Sequence, residues 1–179
     1  HTTVARLAGD LATLRQQGFK LTVIDTHPAI TMANAVAIRN YSHLASLWLA
    51  QLLGAMTGAG LVMLQFGPHW KLTEDPATKL GVFCTRPAVP NLAFNFLSEV
   101  IGTMVLVIVA GSISSKGVSM SGPAGGVGPW LVGSLVWGIG LSLGGSTGYA
   151  INPARDFGPR LMHALMPIPG KGGSNWSYA

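Results

Sequence analysis

The sequence predicts an all-α integral membrane protein. Only 9% of its 179 residues are charged, whereas soluble globular domains carry roughly a quarter. Residues 40–70 contain no Asp, Glu, Lys or Arg, and neither do residues 117–154. A hydrocarbon core of about 30 Å needs roughly 20 helical residues at about 1.5 Å each, so both segments are long enough to cross a bilayer.

Three membrane spans are predicted, at about 41–66, 91–113 and 129–145. The second span contains one acid, Glu99, and an acid inside lipid is costly enough that we expect it to have a buried polar partner. Residues 67–90 carry prolines, glycines and charges of both signs. They are expected to form a long loop in water.

The stretch SLGGSTGYAINPA at 142–154 is too rich in glycine and small polar residues to continue as a lipid-facing helix. Unwound backbone at membrane depth is tolerated only where protein or a water-filled cavity satisfies its peptide groups. Asn152 is a favoured N-cap, and Pro153 suits the first helical position. We therefore predict a re-entrant loop that leads into a half-helix at 153–165.

The first 25 residues have a different pattern. In VARLAGDLATLRQQGF, apolar residues recur at helical spacing among charged ones, which predicts an amphipathic helix and not a span. The chain begins with His1 in place of Met. We expect it to be a fragment of a longer protein.

Several other classes of function are disfavoured. Basic residues outnumber acids by 11 to 6 but are scattered, which argues against a nucleic-acid surface. The single cysteine, Cys84, cannot pair within the chain, and the histidines show no ligand spacing, so no disulfide, metal or cofactor is predicted. GLSLG at 140–144 fits the Gly-x-Ser-x-Gly pattern but lies in an apolar helical stretch, without the strand and turn that a nucleophile requires. We do not expect an enzyme.

The segment STGYAINPARDFGPRL at 146–161 resembles the second signature loop of the major intrinsic protein family, the aquaporins and glycerol facilitators. In that family two Asn-Pro-Ala half-helices, one in each inverted repeat, meet at the bilayer centre. HPAITMANAVAI at 27–38, followed by the first span, stands where the first half-helix would be, with a half-helix expected at 28–38. The resemblance covers about 22–179.

The resemblance implies an aquaporin-like inverted-repeat helical bundle with two re-entrant half-helices. Residues 26–179 would form a partial channel domain that lacks the family's spans one, two and six, and residues 1–25 would not match it. The implied pore motifs are His27, Pro28 and Ala29, and Asn152, Pro153 and Ala154.

The selectivity filter implied by the resemblance contains Gly140, Tyr149 and Arg155. A small residue at 140, an aromatic at 149 and an acid at Asp156 are typical of glycerol facilitators. A flat ring facing an arginine suits glycerol, because its carbon backbone can lie on the ring while its hydroxyls meet donors. Glu99 resembles the family's buried acid, which accepts hydrogen bonds from backbone N–H groups of the loop.

The resemblance implies a homotetrameric channel of the plasma membrane that passively conducts glycerol, other small neutral solutes and water. Half-helix N-termini place positive potential at the pore centre, which repels cations. Two alternatives remain open: a water-selective aquaporin, and a truncated remnant that does not conduct. Gly140 could instead serve helix packing, Tyr149 the membrane interface, and Arg155 an ion pair with a nearby carboxylate.

His27 stands where the family usually has asparagine. It is either a tolerated replacement or a pore histidine that becomes charged below about pH 6.5 and slows flux. Glycerol permeability measured across pH for the native chain and for His27→Asn distinguishes the two, because only the second hypothesis predicts different pH profiles.

Overall fold

The computed structural model describes residues 41–113, 115 and 127–177. The predicted amphipathic helix at 1–25 and the half-helix at 28–38 lie outside these residues. All regular secondary structure in the described part is helical, in the order α1 (Leu44–Gln65), α2 (His69–Leu72), α3 (Pro76–Phe83), α4 (Leu92–Ile113), α5 (Val127–Thr147) and α6 (Pro153–Leu165).

Three of these helices, α1, α4 and α5, are long and apolar enough to cross a membrane. Large apolar side chains cover their outer surfaces, and Leu64, Trp130 and Leu141 are 72%, 74% and 75% exposed. A helix that is apolar on all sides is stable only when protein or lipid surrounds it. The predicted class, an all-α integral membrane protein, is confirmed.

The helices pack in two groups. α4 packs along α5, while α1 packs along α6, which also contacts α3. Between α4 and α5 lies a cluster that contains Leu106, Ala110, Val132 and Ile139, and Ile151 joins it from the segment just before α6. The start of α6 is therefore held by the α4–α5 pair, although the body of α6 lies against α1.

Small residues let α1 and α6 approach closely. A Cβ atom at Gly158 would lie 2.9 Å from the Ala55 Cβ and 3.3 Å from the Leu52 carbonyl oxygen, and one at Gly60 would lie 3.7 Å from the Met162 Cε. Close approach through glycine and alanine is typical of helix pairs in membranes. The later residue of α1, Gly60, meets the later residue of α6, Met162, and the earlier Ala55 meets the earlier Gly158. The two helices α1 and α6 therefore run in the same direction.

The segment 67–90 was predicted as a long loop in water, and the structure adds two short helices within it, α2 and α3. Asp75 caps α3: its carboxylate accepts hydrogen bonds from the backbone N–H groups of Ala77 and Thr78, each at 3.0 Å. Pro76 occupies the first helical position, where its missing N–H is not needed. The Thr78 hydroxyl and the Ala77 amide also lower the pKa of Asp75. The Asp-Pro pair was the sequence signal for this helix.

The expected unwinding from residue 142 was wrong in part, because α5 continues to Thr147. Only residues 148–152 connect α5 to α6 without helix. The Ser142 hydroxyl donates to the Gly138 carbonyl at 2.7 Å within this regular helix. The small residues in 142–147 therefore belong to a helix that packs closely on one face. The irregular backbone is only five residues long.

Candidate functional site

The connection between α5 and α6 has an unusual backbone. Gly148, Tyr149 and Ile151 have φ angles of +78°, +42° and +42°. Such angles suit glycine but are strained for tyrosine and especially for a β-branched isoleucine. Strained backbone of this kind persists only where the surrounding structure holds it.

Glu99 on α4 supplies that support. Its carboxylate accepts a hydrogen bond from the Ala150 N–H at 3.0 Å and another from the Ile151 N–H at 2.7 Å. Both donors belong to backbone that is not in a helix, so no helical carbonyl could satisfy them. Glu99 thus has the polar partners that an acid in a membrane span requires.

Asn152 caps the N-terminus of α6. Its side-chain oxygen accepts hydrogen bonds from the backbone N–H groups of Ala154 at 2.9 Å and Arg155 at 3.3 Å. Pro153 follows as the first helical residue. Within the described part of the chain no acceptor is recorded for the Asn152 amide NH₂ group. This group and the positive end of the helix dipole are therefore available to an oxygen-bearing solute.

Arg155 folds back over the connection that precedes α6. Its Nη1 donates to the carbonyl oxygens of Tyr149 at 2.9 Å and Gly148 at 3.3 Å, and its Cζ lies 4.2 Å from the centroid of the Tyr149 ring. That distance is within the range of a cation–π interaction. The guanidinium and the ring are therefore in direct contact, whereas the sequence predicted only that they face each other.

The Tyr149 ring is packed between this guanidinium and α5. A Cβ atom at Gly140 would lie 2.8 Å from the Tyr149 Cζ, and one at Gly144 would lie 2.7 Å from its Cδ1. Two glycines four residues apart form a groove on one face of a helix. Gly140 and Gly144 together provide the space that the ring occupies.

Several backbone carbonyls of this connection accept hydrogen bonds from protein donors. The Ser146 carbonyl accepts from the Ala88 N–H at 2.9 Å, and those of Gly148 and Tyr149 accept from Arg155. The Ala150 carbonyl accepts from the Asn152 N–H. Each carbonyl has two lone pairs, so a second donor can still bind where there is room.

Asp156 points away from Arg155. Its Oδ1 accepts hydrogen bonds from the Thr85 N–H at 2.7 Å and hydroxyl at 2.6 Å, and its carboxylate pairs with Arg160, whose Nε lies 2.8 Å from Oδ2. Asp156 is 7% exposed and Arg160 is completely buried. The acid of the motif therefore anchors the 84–86 segment to α6 and does not contact Arg155.

Beside Arg155 lies a cleft of about 550 Å³. One wall is the face of α1 from Ala55 to Val62, and another is the chain from Gly81 to Arg86. Gly148, Arg155 and Pro159 also line it. Cys84 lies in this wall, and its burial raises the pKa of the thiol to about 11, so the thiol is protonated at neutral pH.

The structure brings together Glu99, Gly140, Tyr149 and residues 152–156 from the predicted site. His27, Pro28 and Ala29 lie outside the described residues. Sequence reasoning missed Thr85 and Arg160. The four-residue spacing of Asp156 and Arg160 was a signal for the ion pair, whereas nothing in the sequence linked Thr85 to either.

The described residues contain no cluster of three or more His, Cys, Asp or Glu side chains that could hold a metal ion. Ser142 lies inside the regular helix α5, without the sharp strand-to-helix turn that exposes a nucleophilic serine. The polar groups of the site are instead grouped around the N-terminus of α6.

Three apolar spanning helices, and a shorter helix whose capped N-terminus is held between them, define an integral membrane protein of the broken-helix class. A family model described as "Major intrinsic protein" matches residues 6–177. The chain belongs to the major intrinsic protein family. The match begins at residue 6 and so extends across most of the segment 1–25, which was expected to lie outside the resemblance.

Curated relatives agree with this family. The chain is 53% identical over 154 residues to a probable glycerol uptake facilitator protein of Thermotoga maritima, covering 86% of this chain and 64% of the relative. It is 51% identical to a glycerol uptake facilitator protein of Bacillus subtilis, covering 86% and 54%. A D/L-lactic acid transporter of Lactiplantibacillus plantarum is 40% identical, covering 72% and 53%. The chain thus spans between about half and two thirds of the length of these relatives.

Proposed function

We propose that this protein is a passive channel of the plasma membrane for glycerol and other small neutral solutes, with water, and that it is not an enzyme. The observation that carries the proposal is Arg155, which is stacked on Tyr149 at the Asn152-capped start of α6 and lines an open cleft. The glycerol uptake facilitators among its relatives support glycerol as the solute.

The charges of the site favour neutral solutes over cations. The N-terminus of α6 carries roughly half a unit of positive charge, and the Arg155 guanidinium adds a full charge beside it. Part of that guanidinium is used by the Gly148 and Tyr149 carbonyls, but a guanidinium has five N–H donors. The remaining donors and the Asn152 amide can bind hydroxyl oxygens, while the edge of Tyr149 offers an apolar surface to carbon atoms.

The direct test is stopped-flow light scattering of proteoliposomes. We expect glycerol to equilibrate faster than in empty liposomes, at a rate proportional to the gradient and without saturation. Glycerol uptake equal to that of empty liposomes at matched protein loading contradicts the proposal.

A small hydroxy acid is the second candidate solute. Among the described residues that line the cleft, two are arginines, Arg86 and Arg155, and none is acidic. This lining favours an anionic or acid solute. One of the relatives is named as a D/L-lactic acid transporter, which supports this class of solute. Lactate uptake in the same liposomes tests this candidate, which fails if only glycerol and water cross faster than in empty liposomes.

Arg155 is the residue whose replacement most directly tests the proposed filter. We expect Arg155→Ala to lose discrimination, so that larger polyols and monovalent cations leak, because the charge and the donors are removed together. Arg155→Lys should keep cations out but discriminate poorly among polyols, since a compact ammonium has neither the planar face that lies over the Tyr149 ring nor the five fixed donors of a guanidinium. Permeability ratios and membrane conductance measure the two effects.

Arg86→Ala is the matched control, because Arg86 is a second arginine of the cleft, whereas Arg155 is the arginine that lies over Tyr149. We expect it to retain the cation barrier. If Arg155→Ala and Arg86→Ala gave the same ratios and the same conductance, Arg155 would not form the filter.

The homotetramer implied by the family is also a proposal. Apolar faces such as that of Trp130, Trp137 and Leu141 on α5 remain exposed in the single chain, so each can lie against lipid or against another copy. Native mass spectrometry from detergent should show four copies. A monomer under conditions that preserve membrane oligomers contradicts this assembly.

A further inference from the structure

We propose that Arg160, Asp156 and Thr85 form a positioning cluster that sets the geometry of the filter, although Arg160 and Asp156 do not line the cleft. The inference rests on the proposed channel function. Its first element is Arg160, which is 0% exposed. Its Nε and Nη2 bind the two Asp156 carboxylate oxygens, each at 2.8 Å. This paired geometry is available to arginine but not to lysine.

The second element is Thr85, which the ion pair holds at three atoms. The Asp156 carboxylate accepts from the Thr85 N–H and hydroxyl, and the Arg160 Nη2 donates to the Thr85 carbonyl at 2.8 Å. The backbone and the side chain of this one residue are therefore fixed by charged partners. Hydrogen bonds to charged groups are about twice as strong as neutral ones.

The third element is the contact between Thr85 and the filter. A Cβ atom at Gly148 would lie 3.1 Å from the Thr85 Cβ, and the Gly148 carbonyl is one of the two that accept from Arg155. Three residues further on, the Ala88 N–H donates to the Ser146 carbonyl. The segment 85–88 thus packs along 146–148 and supports the backbone on which Arg155 rests.

These contacts form a continuous path from a buried ion pair to the guanidinium in the cleft. Arg160 also donates to the carbonyls of Ser174 at 2.7 Å and Asn175 at 3.1 Å, so it is held from the opposite side as well. If the ion pair loosens, Thr85 can withdraw from Gly148, and Arg155 can then shift with its acceptor. The cluster therefore determines which solutes fit and not merely whether the chain folds.

The test uses Arg160→Lys, which keeps the charge, and Thr85→Val, which removes only the hydroxyl bond to Asp156 and is the milder change. Two quantities are measured: the permeability ratio of a four-carbon polyol to glycerol, and the rate at which a maleimide modifies Cys84 in the native protein. Cys84 is the only cysteine of the chain, is 5% exposed and precedes Thr85. It therefore reports how firmly this segment is held, independently of conduction.

Lys171→Met is the matched control. The Lys171 Nζ donates to the carbonyls of His163, Ala164 and Met166 at the end of α6, away from the hydrogen bonds that hold Thr85. Its loss should lower the melting temperature in detergent but leave the permeability ratio and the Cys84 rate unchanged. A purely structural role for Arg160 would make Arg160→Lys behave in the same way.

We expect Arg160→Lys to change the permeability ratio and to raise the Cys84 modification rate several-fold, with smaller changes of the same sign in Thr85→Val. An unchanged Cys84 rate in both variants overturns the proposal, whatever the liposomes show. A raised rate with an unchanged permeability ratio also overturns it, because the segment would then move without affecting the filter. If the native protein fails to conduct glycerol, the proposed function fails, and the Cys84 rates still decide whether the cluster fixes this segment.

Discussion

Replacement of Glu99 by alanine is expected to destabilise the protein by about 2–6 kcal/mol and to abolish glycerol conduction. The two backbone N–H groups of Ala150 and Ile151 would lose their acceptor. A buried donor left without a partner costs about 1–3 kcal/mol, and at membrane depth little water can replace the carboxylate. The strained backbone at 149 and 151 would lose its support as well.

Glu99→Gln should fall between the native protein and Glu99→Ala. A glutamine retains one acceptor oxygen, but its NH₂ group would face the second N–H donor. The melting temperature in detergent and the glycerol permeability of liposomes measure the two effects. We therefore expect the order native, Gln, Ala for both measurements.

Ser112→Ala is the control on the same helix, since among the described residues the Ser112 hydroxyl donates only to the Ile108 carbonyl, one turn away. Ser112→Ala should be as stable as the native protein, because the Ile108 carbonyl can still accept a backbone hydrogen bond of the helix when the hydroxyl is absent. If Glu99→Ala were as stable as Ser112→Ala, the carboxylate would not be holding the connection to α6.

The second large effect is expected at Gly144. Gly144→Ala would place a methyl group 2.7 Å from the Tyr149 Cδ1, and overpacking of this kind costs about 1–3 kcal/mol. The ring cannot move away freely, because Arg155 covers its other face. We expect a large loss of glycerol permeability as the ring is driven toward the guanidinium.

Gly140→Ala should have a smaller effect. The atoms that its methyl group would meet are Cζ and the hydroxyl of Tyr149, at the far end of the side chain, where a small tilt gives more relief. Gly145→Ala is the matched control, because nothing lies within 4 Å of a Cβ atom there. In a helix alanine is favoured over glycine by about 1 kcal/mol, so this control should be as stable as the native protein or more so.

A double-mutant cycle identifies the cause. In a Tyr149→Ala background the methyl group of Gly144→Ala has no ring to meet, so the second substitution should have little further effect. If Gly144→Ala reduced glycerol permeability by the same factor in both backgrounds, contact with Tyr149 could not be the reason.

Local features of the sequence were sufficient for several parts of the fold. Charge-free stretches indicate spans because a charge in lipid is costly, and α1, α4 and α5 lie at the stretches named from them. The Asn152 cap and Pro153 indicate where α6 begins, because capping depends on adjacent residues. The same rule applied to Asp75 and Pro76 would have indicated α3, which was predicted as part of a loop.

Contacts between distant residues were beyond such rules. Glu99 could be expected to have a polar partner. Only the resemblance to the family indicated that its partners lie in the loop before α6, which is 51 and 52 positions further along the chain. Thr85 and Asp156 are separated by 71 positions, and no local pattern connects them. The C-terminal end of α5 was placed too early, because its glycine-rich sequence suggested irregular backbone. The glycines instead form a helical groove that the Tyr149 ring fills, and this contact is visible only in the structure.

The sequence by itself determined the membrane class, the resemblance to the major intrinsic proteins and the chemistry of the half-helix start, because hydropathy and capping act over a few neighbouring residues. Only the tertiary structure decided what those residues touch. In the tertiary structure Arg155 lies over the Tyr149 ring, and that ring packs against Gly140 and Gly144. Asp156 binds Thr85 and Arg160. Each of these contacts depends on how separate helices pack, and packing is a property of their three-dimensional arrangement and not of any one segment.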